Sequence, residues 1–123
     1  MGMIIEAYVG DLDTPGFDFY GSNWNGNIPD PIFPPLKDAR RLFDVIWDMI
    51  ERGEENAKRL DWGAVGVLYT KQQLRDFFDR FYTGGLSKAL KRFLRELDPD
   101  RKYVLVAFEG GGELGDDPLD FDD

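Results

Sequence analysis

Most of the side chains that commonly carry out acid–base, nucleophilic or metal chemistry are missing from this chain. Its 123 residues include no Cys, no His and only two serines, Ser22 and Ser87. No Ser-His-Asp or Cys-His arrangement can form, and the usual thiolate and imidazole ligands of zinc are lacking. Neither serine lies in a Gly-x-Ser-x-Gly turn. We therefore predict that the protein is not an enzyme, although two of its 24 acidic residues could still act as a general acid and base.

Two short motifs match ligand-binding loops only in part. Gly110–Gly115 fits the Gly-x-Gly-x-x-Gly phosphate fingerprint and follows a predicted strand, but the acids around it, including Asp116 and Asp117, would repel a phosphate. The segment from Asp11 has acids at the first and third positions of a calcium loop, but Ser22 replaces the Glu that closes such a site. We predict that the protein holds no cofactor and no metal.

Charge is distributed unevenly along a chain whose net charge is -9. Residues 1–35 hold five acids and no base, and residues 103–123 hold seven acids and no base. Residues 63–102 hold nine bases and five acids, among them a basic cluster in one predicted helix: Lys88, Lys91, Arg92 and Arg95. Such a cluster is locally typical of nucleic-acid binding, but the overall field opposes phosphate. We expect a solvated basic face, partly neutralised by the acidic ends, and no direct nucleic-acid binding.

Hydrophobic periodicity predicts a small α/β domain. The predicted strands are 3–9, 64–69 and 103–108, and the predicted helices are 36–52, 71–82 and 86–97, with a short helical turn over 54–60. Thr70 and Gln73 form a capping-box pattern that opens the helix after the second strand, and Gly53 suits the end of the first helix. We predict one domain over 1–112, with a roughly three-stranded sheet under three to four helices. A flexible acidic tail is predicted over 113–123.

The connection between the first strand and the first helix is the most unusual segment. It combines aromatic side chains with Asp, Asn and Gly, the composition of recognition surfaces. We expect Phe17 and Phe19 to cap the edge of the sheet. Two roles, capping and partner binding, stay open for Tyr20 and Trp24.

The stretch Tyr20-Gly21-Ser22-Asn23-Trp24 resembles the Tyr-Gly-x-Asn stretch of barstar-like ribonuclease inhibitors. These are small acidic α/β proteins, and the activity of that family is to block a basic nuclease. The resemblance covers five residues of this chain. It implies an inhibitor or immunity protein.

Together, the acidic charge and the aromatic connection predict a cytoplasmic protein that binds and masks a basic protein such as a nuclease toxin. The candidate partner-binding residues are Asp11, Asp13, Asp18, Tyr20, Asn23, Trp24, Asp116, Asp117 and Asp120. An accessory or scaffold subunit that recognises a protein through the aromatic loop is the alternative. No segment has the roughly 20 apolar residues of a membrane span, so no membrane partner is expected.

Overall fold

A computed structural model describes residues 4–21, 28–82 and 85–110. Within these residues the chain forms four β-strands, three α-helices and one 3₁₀ turn. In chain order they are β1 (Ile4–Gly10), α1 (Arg40–Glu51), β2 (Ala57–Arg59), the 3₁₀ turn (Asp61–Gly63), β3 (Val65–Thr70), α2 (Lys71–Phe81), α3 (Lys88–Glu96) and β4 (Lys102–Gly110). None of these helices has the length and apolar character needed to cross a membrane. The predicted tail over 113–123 lies outside the described residues.

The strands form one antiparallel sheet in the order β1-β4-β3-β2. β4 therefore lies between β1 and β3: Ala107 of β4 is opposite Ala7 of β1 and also opposite Val65 of β3. The small α/β architecture is confirmed, with four strands where we predicted three.

The additional strand, β2, lies where we predicted a helical turn over 54–60, and that prediction is wrong. α1 ends as expected just before Gly53, whose φ is +79°, and the N–H groups of Gly53 and Glu54 donate to carbonyls of the last helical turn. The chain then pairs with β3, placing Ala57 opposite Val67. A segment this short has too weak a hydrophobic period to distinguish a helical turn from an edge strand.

The first helix also begins later than predicted, because the residues before it extend the sheet. Leu36 exchanges two backbone hydrogen bonds with Ala7, at 2.9 and 2.7 Å, and the N–H of Ala39 donates to the carbonyl of Ile5. Residues 30–39 thus run antiparallel along the outer edge of β1. Three prolines in this segment, Pro31, Pro34 and Pro35, lack the N–H that another strand would need. This edge of the sheet is therefore covered and protected from pairing with a further chain.

The sheet has a hydrophobic core on each face. All three helices lie over one face, the helix face, where Leu42, Ile46, Leu74, Phe78, Leu90 and Leu94 pack on Ile5, Ala7, Val9, Val65, Val67, Leu105 and Ala107. The other face, the loop face, is covered by the connection after β1: Leu12, Phe17, Phe19 and Ile28 pack there with Tyr8, Leu60, Leu68, Val104 and Val106. Alternate residues of β4 enter the two cores, which explains the continuous apolar run predicted for a central strand.

Candidate functional site

The connection between β1 and α1 is anchored to the sheet and to itself. The hydroxyl of Tyr8 donates to the carbonyl of Pro29 at 2.7 Å in the buried core of the loop face. The hydroxyl of Thr14 donates to the carbonyl of Asp11 at 2.6 Å and accepts the N–H of Asp30 at 2.9 Å. These bonds join Tyr8 and the beginning of the connection to Pro29 and Asp30 near its end, and they fix the backbone at those positions.

The Tyr8 anchor is tightly packed. Burial, assisted by the negative charge of Asp30, raises the pKa of Tyr8 to about 12, so the hydroxyl stays a donor above the pH at which an exposed tyrosine ionises. Gly10 completes the fit, because a Cβ at this position would lie 2.6 Å from Cγ of Pro29.

Two of the predicted partner-binding acids meet at one cation. Arg101 Nη2 lies 2.9 Å from Asp13 Oδ2 and 3.6 Å from Asp11 Oδ1, and its guanidinium also lies over the ring of Tyr103. Asp11 Oδ1 further accepts the N–H of Asp13 at 2.9 Å, which fixes the turn between the two acids. The side chain of Asp13 nevertheless remains 79% exposed. This pair is thus an open carboxylate site that already holds one arginine.

Asp18 and Tyr20 form a second turn further along the connection. Asp18 Oδ1 accepts the N–H of Tyr20 at 3.1 Å, and the carbonyl of Asp18 accepts the N–H of Gly21. The ring of Tyr20 packs edge-on against Phe19 and is 62% exposed. Lys58 Nζ lies 5.6 Å from the centre of that ring. This turn therefore also contacts a cation of the same chain, here through an aromatic face.

We predicted that Phe17 and Phe19 cap the edge of the sheet, and the structure instead places both over one of its faces. Phe19 is 2% exposed and both rings lie over the loop face, where they supply much of its cover. The remaining candidate residues lie outside the described part of the chain: Asn23, Trp24, Asp116, Asp117 and Asp120.

A groove between α1 and α2 was not predicted from the sequence. It encloses about 430 Å³ above an apolar floor that includes Met49 and Phe77. The Tyr69 hydroxyl faces this floor and donates weakly to Met49 Sδ at 3.6 Å. Burial is the main cause that raises the pKa of Tyr69, Glu54 raises it further, and Arg80 opposes them. The groove forms because α1 and α2 lie side by side on the same face of the sheet. This arrangement depends on distant parts of the chain, so no local sequence signal indicates it.

The basic cluster of α3 lies at the surface. Lys88, Lys91, Arg92 and Arg95 are all exposed, and together with Ala89 they line a shallow depression of about 570 Å³. We call these four side chains the α3 basic surface. The solvated basic face predicted for this helix is thus present in the structure.

The described residues contain no group of three or more carboxylates placed to hold a metal ion. Comparisons of the chain with protein-family models, with curated proteins and with solved structures found no match.

Proposed function

We propose that this protein binds a basic protein, such as a nuclease toxin, and masks it in the manner of an inhibitor or immunity protein of the cytoplasm. The proposed contact surface, which we call the acidic loop surface, consists of Asp11, Asp13, Asp18 and Tyr20. The observation that carries the proposal is that this surface already contacts two cations of its own chain, Arg101 and Lys58.

These two contacts support recognition of cationic side chains by this surface. A pair of carboxylates around a guanidinium is a favourable, charge-assisted arrangement, and an exposed tyrosine ring attracts a cation to its face. Because Asp13 and Tyr20 stay largely exposed, a lysine or arginine of a partner can approach the same groups. The partner's cations would add to the internal pairs or replace them.

The anchoring of the connection favours tight binding. The hydrogen bonds of Tyr8 and Thr14 hold the anchored residues of the connection in place before any partner arrives, so these residues lose less conformational entropy on association. The net charge of -9 further favours rapid encounter with a basic protein. Both properties are those expected of an inhibitor that must capture its target quickly.

The resemblance of residues 20–24 to barstar-like inhibitors supports the same function. Under this proposal Asn23 and Trp24 extend the acidic loop surface, and the acids Asp116, Asp117 and Asp120 add a second negative region. The accessory-subunit alternative depends on apolar recognition by the same connection. Phe17 and Phe19 pack in the core of the loop face. Among the described residues of the connection, Tyr20 is therefore the exposed aromatic side chain that could serve this apolar recognition.

The test is capture from a native lysate with a matched pair of charge variants. The first variant, Asp13→Asn with Asp18→Asn, removes two charges from the acidic loop surface, and Asn at position 18 keeps an oxygen for the Tyr20 N–H. The control, Asp44→Asn with Glu55→Gln, removes two charges from exposed positions elsewhere. Capture is compared by mass spectrometry at about 50 mM and about 300 mM salt, where screening differs strongly.

We expect a basic protein that is captured by the wild-type chain and the control at low salt and is reduced by the loop variant. With the purified partner, the association rate should fall roughly three- to tenfold in the loop variant and change little in the control. A partner that is acidic, or one captured equally by both variants at both salt concentrations, would contradict the proposal. A salt-resistant partner lost on Tyr20→Ala alone would instead support the accessory subunit.

A further inference from the structure

The α3 basic surface has the geometry of a continuous cationic stripe. Its residues follow the spacing i, i+3, i+4 and i+7, so Lys88, Lys91, Arg92 and Arg95 share one side of the helix. Leu90 and Leu94 are buried against the helix face of the sheet and fix the orientation of α3. The stripe is therefore held toward solvent by the packing of the helix itself.

No carboxylate of residues 4–21, 28–82 or 85–110 forms an ion pair with these four cations. Elsewhere in the described residues, Arg52 pairs with Asp48 and Glu54, and Arg101 pairs with the acids of the loop. A neighbouring depression of about 250 Å³ adds the cation of Arg75 beside Lys91 and Arg95, with Asp79 as its acid. A protein of net charge -9 thus presents a concentrated positive surface to which its described acids do not bind.

We propose that the occupant of the α3 basic surface is the acidic segment 113–123 of the same chain. This segment has six acids and no base, so its charge is complementary to the four cations of the α3 basic surface. The thirteen residues after Gly110 can span at most roughly 45 Å. A domain of this size has a diameter of about 35 Å, so the segment is long enough to reach α3. A nucleic acid would meet the same cations, but the field of the whole chain opposes its approach.

The contact is a sum of weak charge pairs made favourable by the tether. Single exposed ion pairs contribute little, but a short tether gives the segment an effective concentration in the millimolar range at the helix. Its dependence on charge makes the contact sensitive to salt, because the Debye length falls from about 10 Å at 0.1 M to about 3 Å at 1 M.

The docked segment has a consequence that rests on the proposed function. If Asp116, Asp117 and Asp120 contact a basic partner, the partner competes with the α3 basic surface for them. Weakly basic proteins then fail to detach the segment from the helix, and only a strongly basic partner binds the segment in place of the helix. The α3 basic surface thereby raises the specificity of the acidic segment.

Paramagnetic relaxation in the free protein tests the docking without any partner. Because the chain has no Cys, Leu119→Cys provides a single attachment point for a nitroxide label. We expect selective broadening of the backbone amide signals of 88–96 at about 20 mM salt, and its loss at about 1 M salt. Lys91→Gln with Arg92→Gln should reduce the broadening, whereas the matched control Lys37→Gln with Arg40→Gln should preserve it.

Absence of broadening on α3 at low salt, or equal broadening over the whole surface, overturns the docking. Broadening that persists in the α3 variant does the same. Since this measurement uses no partner, its result is independent of the proposed function, whose failure would appear only in the capture experiment.

A binding titration with a ten-residue oligolysine peptide tests the competition. The α3 variant and its control have the same net charge, so their difference isolates the docking surface from the overall field. We expect the α3 variant to bind the peptide roughly two- to fivefold more tightly than the control. Equal affinities would overturn the competition. A control experiment with the segment 113–123 deleted from both variants should abolish the difference.

Discussion

The Tyr8 hydroxyl connects the core of the loop face to the end of the long connection. It donates to the carbonyl of Pro29, and burial raises its pKa to about 12. In the unfolded chain a tyrosine loses its proton near pH 10, so the unfolded state binds fewer protons than the folded state between pH 10 and about 12. The contribution of this group to stability is therefore complete below pH 10 and is lost as pH rises through this window.

We predict that Tyr8→Phe lowers the free energy of unfolding at pH 7 by about 1 kcal/mol, because it leaves a buried carbonyl without its donor. The variant should also lose less stability than the wild type between pH 10 and pH 12. Urea unfolding at pH 7, 10 and 11.5 measures both effects. An unchanged alkaline loss in the variant would show that Tyr8 does not cause it.

Gly10 is required by the close approach of Pro29. A Cβ would meet the proline ring at 2.6 and 2.9 Å, and a ring cannot turn aside as a flexible side chain can. We predict that Gly10→Ala lowers stability by roughly 1–3 kcal/mol. Pro29→Ala removes the nearer atom, Cγ, and leaves Cβ, so it should recover part of that loss in the double variant. Additive costs in this double-mutant cycle would contradict the steric explanation.

Among the secondary-structure elements, those with a strong local signal could be predicted from the sequence. The capping-box pattern of Thr70 and Gln73 is confirmed: the Thr70 side chain accepts the N–H of Gln73, and the Gln73 side chain accepts the N–H of Thr70. The glycine stop at Gly53 is confirmed as well. By contrast, β2 and residues 30–39 depend on pairing with distant strands, which hydrophobic periodicity does not record.

The reciprocal cap of α2 gives a prediction at this scale. Thr70→Ala should lower stability by about 1 kcal/mol, and Gln73→Ala should cost less, because water replaces its exposed contact more easily. The double variant should lose less than the sum of the two, since the bonds act together. Gln72→Ala, which loses only an exposed contact with Asp76, is the control and should cost a few tenths of a kcal/mol. Thermal unfolding of the wild type and these four variants decides whether the cap is cooperative.

At the scale of the molecule, the sequence predicts which residues could form the candidate site but not how they are arranged in space. Charge distribution and the aromatic connection predict Asp11, Asp13, Asp18 and Tyr20 as candidate partner-binding residues. Their contacts with Arg101 and Lys58 could not be predicted, because the partners come from β2 and from the residue before β4. The separation of 88 residues between Asp13 and Arg101 is closed only when β4 lies beside β1.

The central place of β4 makes both hydrophobic cores depend on this strand. Val104, Leu105 and Val106 are buried between two strands and two cores, so their amides are exposed only when the sheet separates. The amide of Leu68 instead donates to the carbonyl of Asn56 at the short β2 edge. Local opening of that edge needs little apolar surface to be exposed, whereas separation of β4 exposes both cores at once.

We therefore predict a hierarchy in amide hydrogen exchange. The amides of 104–106 should exchange with the free energy of global unfolding, and the Leu68 amide should exchange at least roughly tenfold faster through local opening. Added urea below the unfolding midpoint should accelerate the β4 amides in proportion to global unfolding and affect Leu68 much less. If Leu68 and the β4 amides show the same rate and the same urea dependence, the edge and the centre of the sheet open together. The domain would then unfold as one cooperative unit down to its shortest strand.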